Sequence, residues 1–279
     1  MTRPGGPGRN ARTPRIQMVD AGGVRLRTCI RGEGRPLLLL SGIGATIEMW
    51  EPFEQALAGF PVQTISVDMP GTGGSPALAI PRRMPGLARI VDSLLDALGH
   101  PAVDVLGVSF GGALAQQLAH QAPRRVAKLI LAATAPGVPG LGGFPGHPRA
   151  LAAMATPRRY YDPVYLRAKA HLIYGGGAFE LGREHLDARL MPPSLRGYLY
   201  QLWAIQGWTA LPWLWSLRQP TLVLAGDDDR ITPAINGRLL ACSIPGARLG
   251  IIRGGGHLFL IQRPHEVTPL VNAFLAQSE

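Results

Sequence analysis

Apolar runs alternate with helical patterns along most of this 279-residue chain, and the connections between them are short. The apolar runs predict strands at 35–44, in the first part of 62–75, at 102–109 and at 126–134, and the helical patterns between them cover 47–59, 86–99 and 110–121. The alternation resumes near the end, with strands at 221–227 and 247–252 and helices at 233–243 and 264–277. This order favours right-handed βαβ units around a parallel sheet.

Two other segments complete the predicted organisation. Residues 15–31 contain two strand-like runs around a glycine-containing turn, which predicts a hairpin. Residues 136–218 are first rich in proline and glycine and then helical and aromatic, and they hold four of the five tryptophans. We therefore expect an α/β fold with a mostly parallel sheet, a core formed by 15–135 and 219–279, and an inserted helical cap at 136–218. The cap tryptophans fit either a packed cap interior or an exposed contact surface.

The formal net charge of +10 is concentrated in part at the start of the chain, where residues 1–15 contain four arginines and no acidic residue. We interpret 1–14 as a disordered basic tail. A positive balance promotes non-specific attraction to anionic surfaces but does not determine a fold. The basic residues form no stripe interleaved with aromatics and no nucleic-acid motif is present, so we expect no nucleic-acid partner.

The sequence also indicates the compartment. Cys29 and Cys242 are the two cysteines, too few for a disulfide framework, and we expect both to be buried free thiols in a reducing environment. The basic start is not followed by the apolar segment of a signal peptide, and no apolar run is long enough to span a membrane. These features predict a cytoplasmic protein.

The pentapeptide Gly107-Val108-Ser109-Phe110-Gly111 matches G-x-S-x-G between a predicted strand and a predicted helix. In that context the pattern is typical of a nucleophile elbow, in which a tight turn raises the serine hydroxyl above the sheet. A glycine-rich turn with an incidental serine is the alternative. The strand before Ser109 and the helix after it favour the catalytic interpretation.

A serine nucleophile needs a base and a group that orients the base. Of the seven histidines, His257 alone follows a late strand on a glycine-rich loop, so it is the candidate base. The candidate acids are the three consecutive aspartates of "LAGDDDRITP", Asp227, Asp228 and Asp229. The spacing from Gly226 favours Asp229, with Asp228 as the main rival.

The oxyanion hole requires two backbone N–H groups. We expect them from Phe110, which follows the serine, and from Ile43 in the loop "SGIG". Gly42 and Gly44 also resemble part of a dinucleotide fingerprint, but Ile47 stands where the third glycine belongs. Asp68 is expected to brace loops around the site. No His/Cys cluster has metal-ligand spacing, so we expect neither a metal nor a cofactor.

The segments "VDMPGTGGS", "GVSFGG", "AGDDDRITP" and "GGGHLFL" follow the order of the α/β-hydrolase superfamily, which the chain resembles over nearly its whole length. More narrowly, "SGIGATIEMW", "GGALAQQLAH", "MATPRRYYDP" and "YQLWAIQGWT" are similar to intracellular depolymerases of medium-chain-length poly(3-hydroxyalkanoates). Two positions depart from that pattern, since Phe110 stands where tryptophan is expected and Ser41 where asparagine is expected.

The resemblance implies Ser109 as nucleophile, Asp229 as acid, His257 as base, and a polyester substrate stored in cytoplasmic granules, whose surface would be a partner. Two alternatives remain within enzymes: a small-molecule carboxylesterase or lactonase, and a carbon–carbon bond hydrolase with the same triad. A haloalkane dehalogenase would need aspartate in place of Ser109. Outside enzymes, the fold can serve as a non-catalytic granule-binding protein.

Overall fold

The computed structural model of the protein describes residues 13–177 and 192–277. The tail predicted at 1–14 therefore lies outside the described residues, except for Thr13 and Pro14, which have no regular secondary structure. Within the described ranges, no helix combines the length and the apolar character that crossing a membrane requires.

The described residues contain an eight-stranded sheet with the order β1-β2-β4-β3-β5-β6-β7-β8. The strands are β1 (Arg15–Asp20), β2 (Arg25–Arg31), β3 (Arg35–Leu40), β4 (Val62–Val67), β5 (Val103–Val108), β6 (Val126–Ala132), β7 (Thr221–Gly226) and β8 (Arg248–Ile252). The β1–β2 hairpin is antiparallel, β2 is antiparallel to β4, and the pairs from β4 to β8 are parallel. The predicted α/β class with a mostly parallel sheet is confirmed.

The helices flank this sheet and connect its strands. They are α1 (Glu51–Ala56), α2 (Met84–Ala97), α3 (Phe110–Gln121), α4 (Pro148–Ala155), α5 (Arg158–Tyr161), α6 (Pro163–Tyr174), α7 (Leu195–Ile205), α8 (Ala234–Ser243), α9 (Phe259–Gln262) and α10 (Pro264–Leu275). The helix predicted at 47–59 divides into a 3₁₀ turn at Ile47–Trp50 and α1, and Pro52 lies in the first turn of α1. Proline lacks an N–H donor, so it suits the start of a helix better than its middle.

The position of β3 inside the sheet explains why its last four residues are all leucine. Leu37 and Leu39 pack into the core layer that contains α1 and α10, whereas Leu38 and Leu40 pack into the layer of α2 and α3. All four side chains are fully buried. A parallel strand covered by helices on both faces needs apolar residues at every position, because successive side chains point to opposite faces.

The segment predicted as a cap, 136–218, runs from the end of β6 to the start of β7 and contributes α4 to α7. Three of its four tryptophans fall into the two expected environments, and Trp213 is half-buried against the core. Trp208 is buried and its Nε1 donates to Gln117 Oε1 on α3 at 2.8 Å, whereas Trp203 and Trp215 are 45% and 64% exposed. The division of the chain into a core and a cap stays a proposal.

The two cysteines differ in environment. Cys29 is buried in β2, and burial raises the pKa of its thiol to about 11. Cys242 is exposed near the end of α8, so the expectation that both thiols are buried was wrong for this one. It lies on the same solvent-facing side of α8 as the exposed residues Ile235 and Arg238.

Candidate active site

Ser109 occupies the turn between β5 and α3 with φ 54° and ψ −117°. Positive φ is uncommon for a residue with a side chain, and such conformations persist only where the surroundings enforce them. Four hydrogen bonds among the described residues hold the backbone of Ser109. The N–H donates to Ala132 O at 3.0 Å, and the carbonyl accepts from Thr134 Oγ1 at 2.7 Å and from the N–H groups of Gly112 and Ala113 at 2.9 and 3.1 Å. These hydrogen bonds fix the hydroxyl-bearing residue at the carboxyl end of β5, at the carboxyl edge of the sheet.

The glycines around Ser109 permit a close approach of three backbone segments. A Cβ at Gly107 would lie 2.3 Å from the carbonyl oxygen of Gly111, and a Cβ at Gly111 would lie 2.0 Å from that of Leu40. Contacts this short with backbone atoms require the strand, the helix or the neighbouring loop to move. The glycine spacing of the motif thus has a steric cause.

We expect Gly111→Ala to lower the free energy of unfolding by about 1–3 kcal/mol, because the added methyl group overpacks the turn. Chemical denaturation of the purified variant measures this change. Gly59→Ala is the matched control, since a Cβ there meets nothing within 4 Å. Equal stability of the two variants would contradict the steric explanation.

His257 lies on the loop after β8 and is 7% exposed. Its Nδ1 is 2.9 Å from Asp229 Oδ2 and 3.1 Å from Asp229 Oδ1, and its backbone N–H donates to Tyr174 O at 2.7 Å. An ionised carboxylate only accepts hydrogen bonds, so Nδ1 carries the shared hydrogen. This tautomer leaves Nε2 with a free lone pair, as a general base requires.

Asp229 is itself fixed by three further donors. Its Oδ1 accepts from the N–H groups of Ile231 and Thr232, each at 2.9 Å, and its Oδ2 accepts from Thr232 Oγ1 at 2.7 Å. Thr232 was not singled out from the sequence, although it lies in the quoted segment "DDDRITP". Its hydroxyl also lies 3.2 Å from His257 Nδ1, so it orients both members of the pair.

The other two candidate aspartates accept hydrogen bonds from backbone N–H groups of neighbouring loops. Asp227 accepts from the N–H of Gly254 at 2.5 Å, and Asp228 accepts from the N–H of Gly176 at 2.7 Å and faces Arg230. Neither is among the hydrogen-bond partners of the His257 ring. Of the three consecutive carboxylates, Asp229 is the one in contact with the histidine.

Ser109 and His257 line one cavity. Most of its remaining lining is apolar, and includes Ala45, Met49, Trp50, Val108, Met154, Leu166, Ile231, Leu258, Leu260 and Ile261. Helices α4 to α6 supply the part of this lining that comes from the segment predicted as a cap. The cavity is therefore suited to an aliphatic ligand that presents one polar reacting group to the serine.

The predicted oxyanion donors lie beside the serine. Within the described residues, the N–H groups of Ile43 and Phe110 donate to no other protein group. A Cβ at Gly42 would lie 3.6 Å from Ser109 Cβ, so the loop of Ile43 adjoins the serine. Two nearby N–H groups without acceptors are what an incoming oxyanion needs.

Three side chains from outside this loop hold it in place. Tyr160 donates to the carbonyl of Ile43, Gln201 Oε1 accepts from the N–H of Gly44 at 2.8 Å, and Trp50 Nε1 donates to Ser41 Oγ at 2.7 Å. Burial raises the pKa of the Tyr160 phenol, so it remains a donor at neutral pH. Tyr160 and Gln201 were not identified from the sequence as site residues, because only the folded chain brings them to the loop.

Asp68 braces two loops, as expected. It is fully buried and accepts from the N–H groups of Ile47 and Gly74, at 2.8 and 2.9 Å, and from Arg27. Burial raises the pKa of this carboxyl. Asp68 does not line the cavity of Ser109. Within residues 13–177 and 192–277, no cluster of three or more histidine, cysteine or acidic side chains could hold a metal ion.

The model of the alpha/beta hydrolase family matches residues 37–270. A poly(3-hydroxyalkanoate) depolymerase of Ectopseudomonas oleovorans is 46% identical over 94% of this chain and 93% of its own length. A 2-hydroxy-6-oxo-6-phenylhexa-2,4-dienoate hydrolase of Comamonas testosteroni is 29% identical over 88% of this chain and 89% of its own. A solved hydrolase from Pseudomonas aeruginosa PA01 has 27% identity and a TM-score of 0.77, covering 94% of this chain and 98% of its own.

The family match spans the sheet from β3 onward, the turn of Ser109, the three aspartates and the loop of His257. The depolymerase relative aligns with 94% of the chain. The resemblance to α/β hydrolases and to poly(3-hydroxyalkanoate) depolymerases is therefore confirmed. The chain belongs to the alpha/beta hydrolase family.

Proposed function

We propose that this protein is a serine hydrolase that cleaves the ester bonds of poly(3-hydroxyalkanoate), with a preference for medium-chain-length polyesters. The observation that carries the proposal is the buried His257–Asp229 pair on the cavity that Ser109 also lines. A hydroxyl on a strained turn, an imidazole held by a carboxylate and two unused N–H groups are the components that acyl transfer needs.

In the first half of the proposed mechanism, Ser109 Oγ attacks the ester carbonyl carbon while His257 Nε2 accepts the hydroxyl proton. The N–H groups of Ile43 and Phe110 hold the resulting oxyanion. Asp229 stabilises the imidazolium that forms. As the tetrahedral intermediate collapses, the ester carbon–oxygen bond breaks and His257 returns the proton to the leaving oxygen, which leaves an acyl-enzyme and a free hydroxyl product.

In the second half, a water molecule attacks the acyl-enzyme and gives one proton to His257 Nε2. The oxyanion forms again at the same two N–H groups. Collapse of this intermediate releases the carboxylic acid, and the proton on His257 restores the hydroxyl of Ser109. The cycle consumes one water molecule for each ester bond and requires no metal or cofactor.

The proposed substrate class is supported by the depolymerase relative at 46% identity and by the apolar lining of the cavity. Aliphatic side chains of a medium-chain polyester suit such a lining. We place the activity at the surface of cytoplasmic storage granules, because an insoluble polyester is accessible only at its surface. Trp203 and Trp215 are exposed side chains that suit contact with it.

The test of this proposal is hydrolysis of a medium-chain poly(3-hydroxyalkanoate) latex, beside poly(3-hydroxybutyrate) and soluble p-nitrophenyl esters, with Ser109→Ala as the control. We expect the wild-type protein to clear the medium-chain latex fastest and the variant to clear none. Cleavage of soluble esters alone would make the protein a small-molecule esterase or lactonase. Granule binding without any hydrolysis would make it a binding protein.

A further inference from the structure

Arg159 lies on α5 and is buried, with 4% of its surface exposed. It lines the cavity of Ser109 and His257, and among the described lining residues it is the one with a permanent charge. Its Nη1 donates to Met154 O at 3.3 Å and its Nη2 donates to Tyr160 Oη at 2.8 Å. Its Nε is buried and has no hydrogen-bond partner among the described residues.

No carboxylate in the described part of the chain forms an ion pair with this guanidinium. The faces of Tyr160 and Tyr198 hold it instead, with ring centroids 4.6 and 5.9 Å from its Cζ. Burying a cation without a counter-charge is costly, because its hydration is lost and no anion replaces it. An anion that enters the cavity would offset that cost.

The guanidinium is also close to the proposed reaction centre. Its Nη2 bonds to the hydroxyl of Tyr160, and that hydroxyl bonds to the carbonyl of Ile43. Two hydrogen bonds thus connect the charge to the loop whose N–H we assign to the oxyanion. An anionic group bound by this guanidinium would therefore lie in the same cavity as the ester under attack, on the side of the Ile43 loop.

We infer that Arg159 binds the free carboxylate of the 3-hydroxy acid unit on the alcohol side of the scissile ester. In such a unit only two carbon atoms separate the ester oxygen from the carboxylate. One cavity can therefore hold the ester beside Ser109 and the carboxylate beside Arg159. The inference rests on the proposed function and narrows its substrate to polyester chains or oligomers that end in a carboxylate.

The chemistry of each cycle follows from that placement. The bond between the ester oxygen and the acyl carbon breaks as the bond between Ser109 Oγ and the acyl carbon forms. The leaving oxygen takes the proton from His257 Nε2, and the terminal unit departs as a free 3-hydroxy acid with its carboxylate unchanged. Water then releases the shortened chain, whose new end is again a carboxylate that Arg159 can bind.

The test compares the linear dimer of 3-hydroxyoctanoic acid with the methyl ester of the same dimer, which has no charge at that end. A hydrogen-bonded charge pair favours the acid, so we expect kcat/KM for its internal ester to exceed that of the capped dimer by roughly tenfold to hundredfold. Arg159→Met is expected to bring the ratio of the two values close to one. Arg158→Met is the matched control, because that neighbouring side chain is 63% exposed and pairs with Asp162, and it should preserve the ratio.

Three outcomes would overturn the inference: a wild-type ratio close to one, a parallel loss on both dimers in Arg159→Met, or a changed ratio in the Arg158→Met control. A parallel loss would indicate that Arg159 only positions Tyr160 and the oxyanion loop. The ratio of kcat/KM for the two dimers is measured on the wild-type protein, so it tests carboxylate recognition even if Arg159→Met does not fold. Hydrolysis of p-nitrophenyl octanoate by the wild-type protein separates failure of this inference from failure of the proposed hydrolase activity.

Discussion

Ser109→Ala is expected to lower kcat for ester hydrolysis by about 10⁶-fold, because loss of the nucleophile removes the acyl-enzyme route altogether. The remaining rate would come from the oxyanion donors and the cavity alone. Alanine removes one oxygen atom and no atom from the turn itself, whose hydrogen bonds from the N–H and to the carbonyl of residue 109 are made by the backbone. Steady-state hydrolysis of p-nitrophenyl octanoate by wild-type and variant proteins measures the change.

The control for this experiment is Ser93→Ala on α2, which removes the same oxygen atom from a residue outside the cavity. It should retain wild-type kcat. An organophosphonate should label the wild-type protein with a stoichiometry of one at Ser109 and leave Ser109→Ala unlabelled. An active and folded Ser109→Ala protein would refute the nucleophile assignment, and with it the acyl-enzyme mechanism.

The strand–turn–helix around Ser109 could be predicted because its causes are local. The apolar run of β5, the glycines required by backbone contacts and the helical pattern of α3 are all adjacent in sequence. The alternation of strands and helices likewise determined the parallel sheet, since short connections leave few topologies. Helix boundaries could not be predicted as well, because the pattern indicated one helix at 47–59, whereas the α-helical part spans Glu51–Ala56 with Pro52 in its first turn.

The supports of the site could not be predicted, because their partners are far apart in sequence. Tyr160 and Gln201 contact the loop of Ile43 and Gly44 from more than a hundred residues away. The proposed role of Arg159 is inferred from its burial and from the absence of a carboxylate partner in the described residues. Neither property can be predicted from "MATPRRYYDP". Local patterns thus indicated the reacting groups, whereas tertiary contacts define what positions them.

Asp229→Asn is expected to lower kcat by about 10⁴-fold with little effect on stability. In the wild-type protein, Oδ1 of Asp229 accepts both N–H groups, from Ile231 and Thr232, so in the variant the amide oxygen must occupy that position. The amide nitrogen then takes the place of Oδ2, 2.9 Å from His257 Nδ1. It can only donate there, which forces the imidazole hydrogen onto Nε2.

A protonated Nε2 on a neutral imidazole cannot accept the proton of Ser109, so the variant should lose most of its activity although its geometry is preserved. Asp228→Asn is the matched control, because Asp228 contacts the N–H of Gly176 and Arg230 and makes no hydrogen bond to the histidine ring. We expect it to keep kcat within a few-fold of the wild-type value. Steady-state kinetics with p-nitrophenyl octanoate, together with the NMR resonances of the His257 ring, separate the two variants. A loss in Asp228→Asn as large as in Asp229→Asn would mean that the loop as a whole, rather than the carboxylate at 229, sets the tautomer of His257.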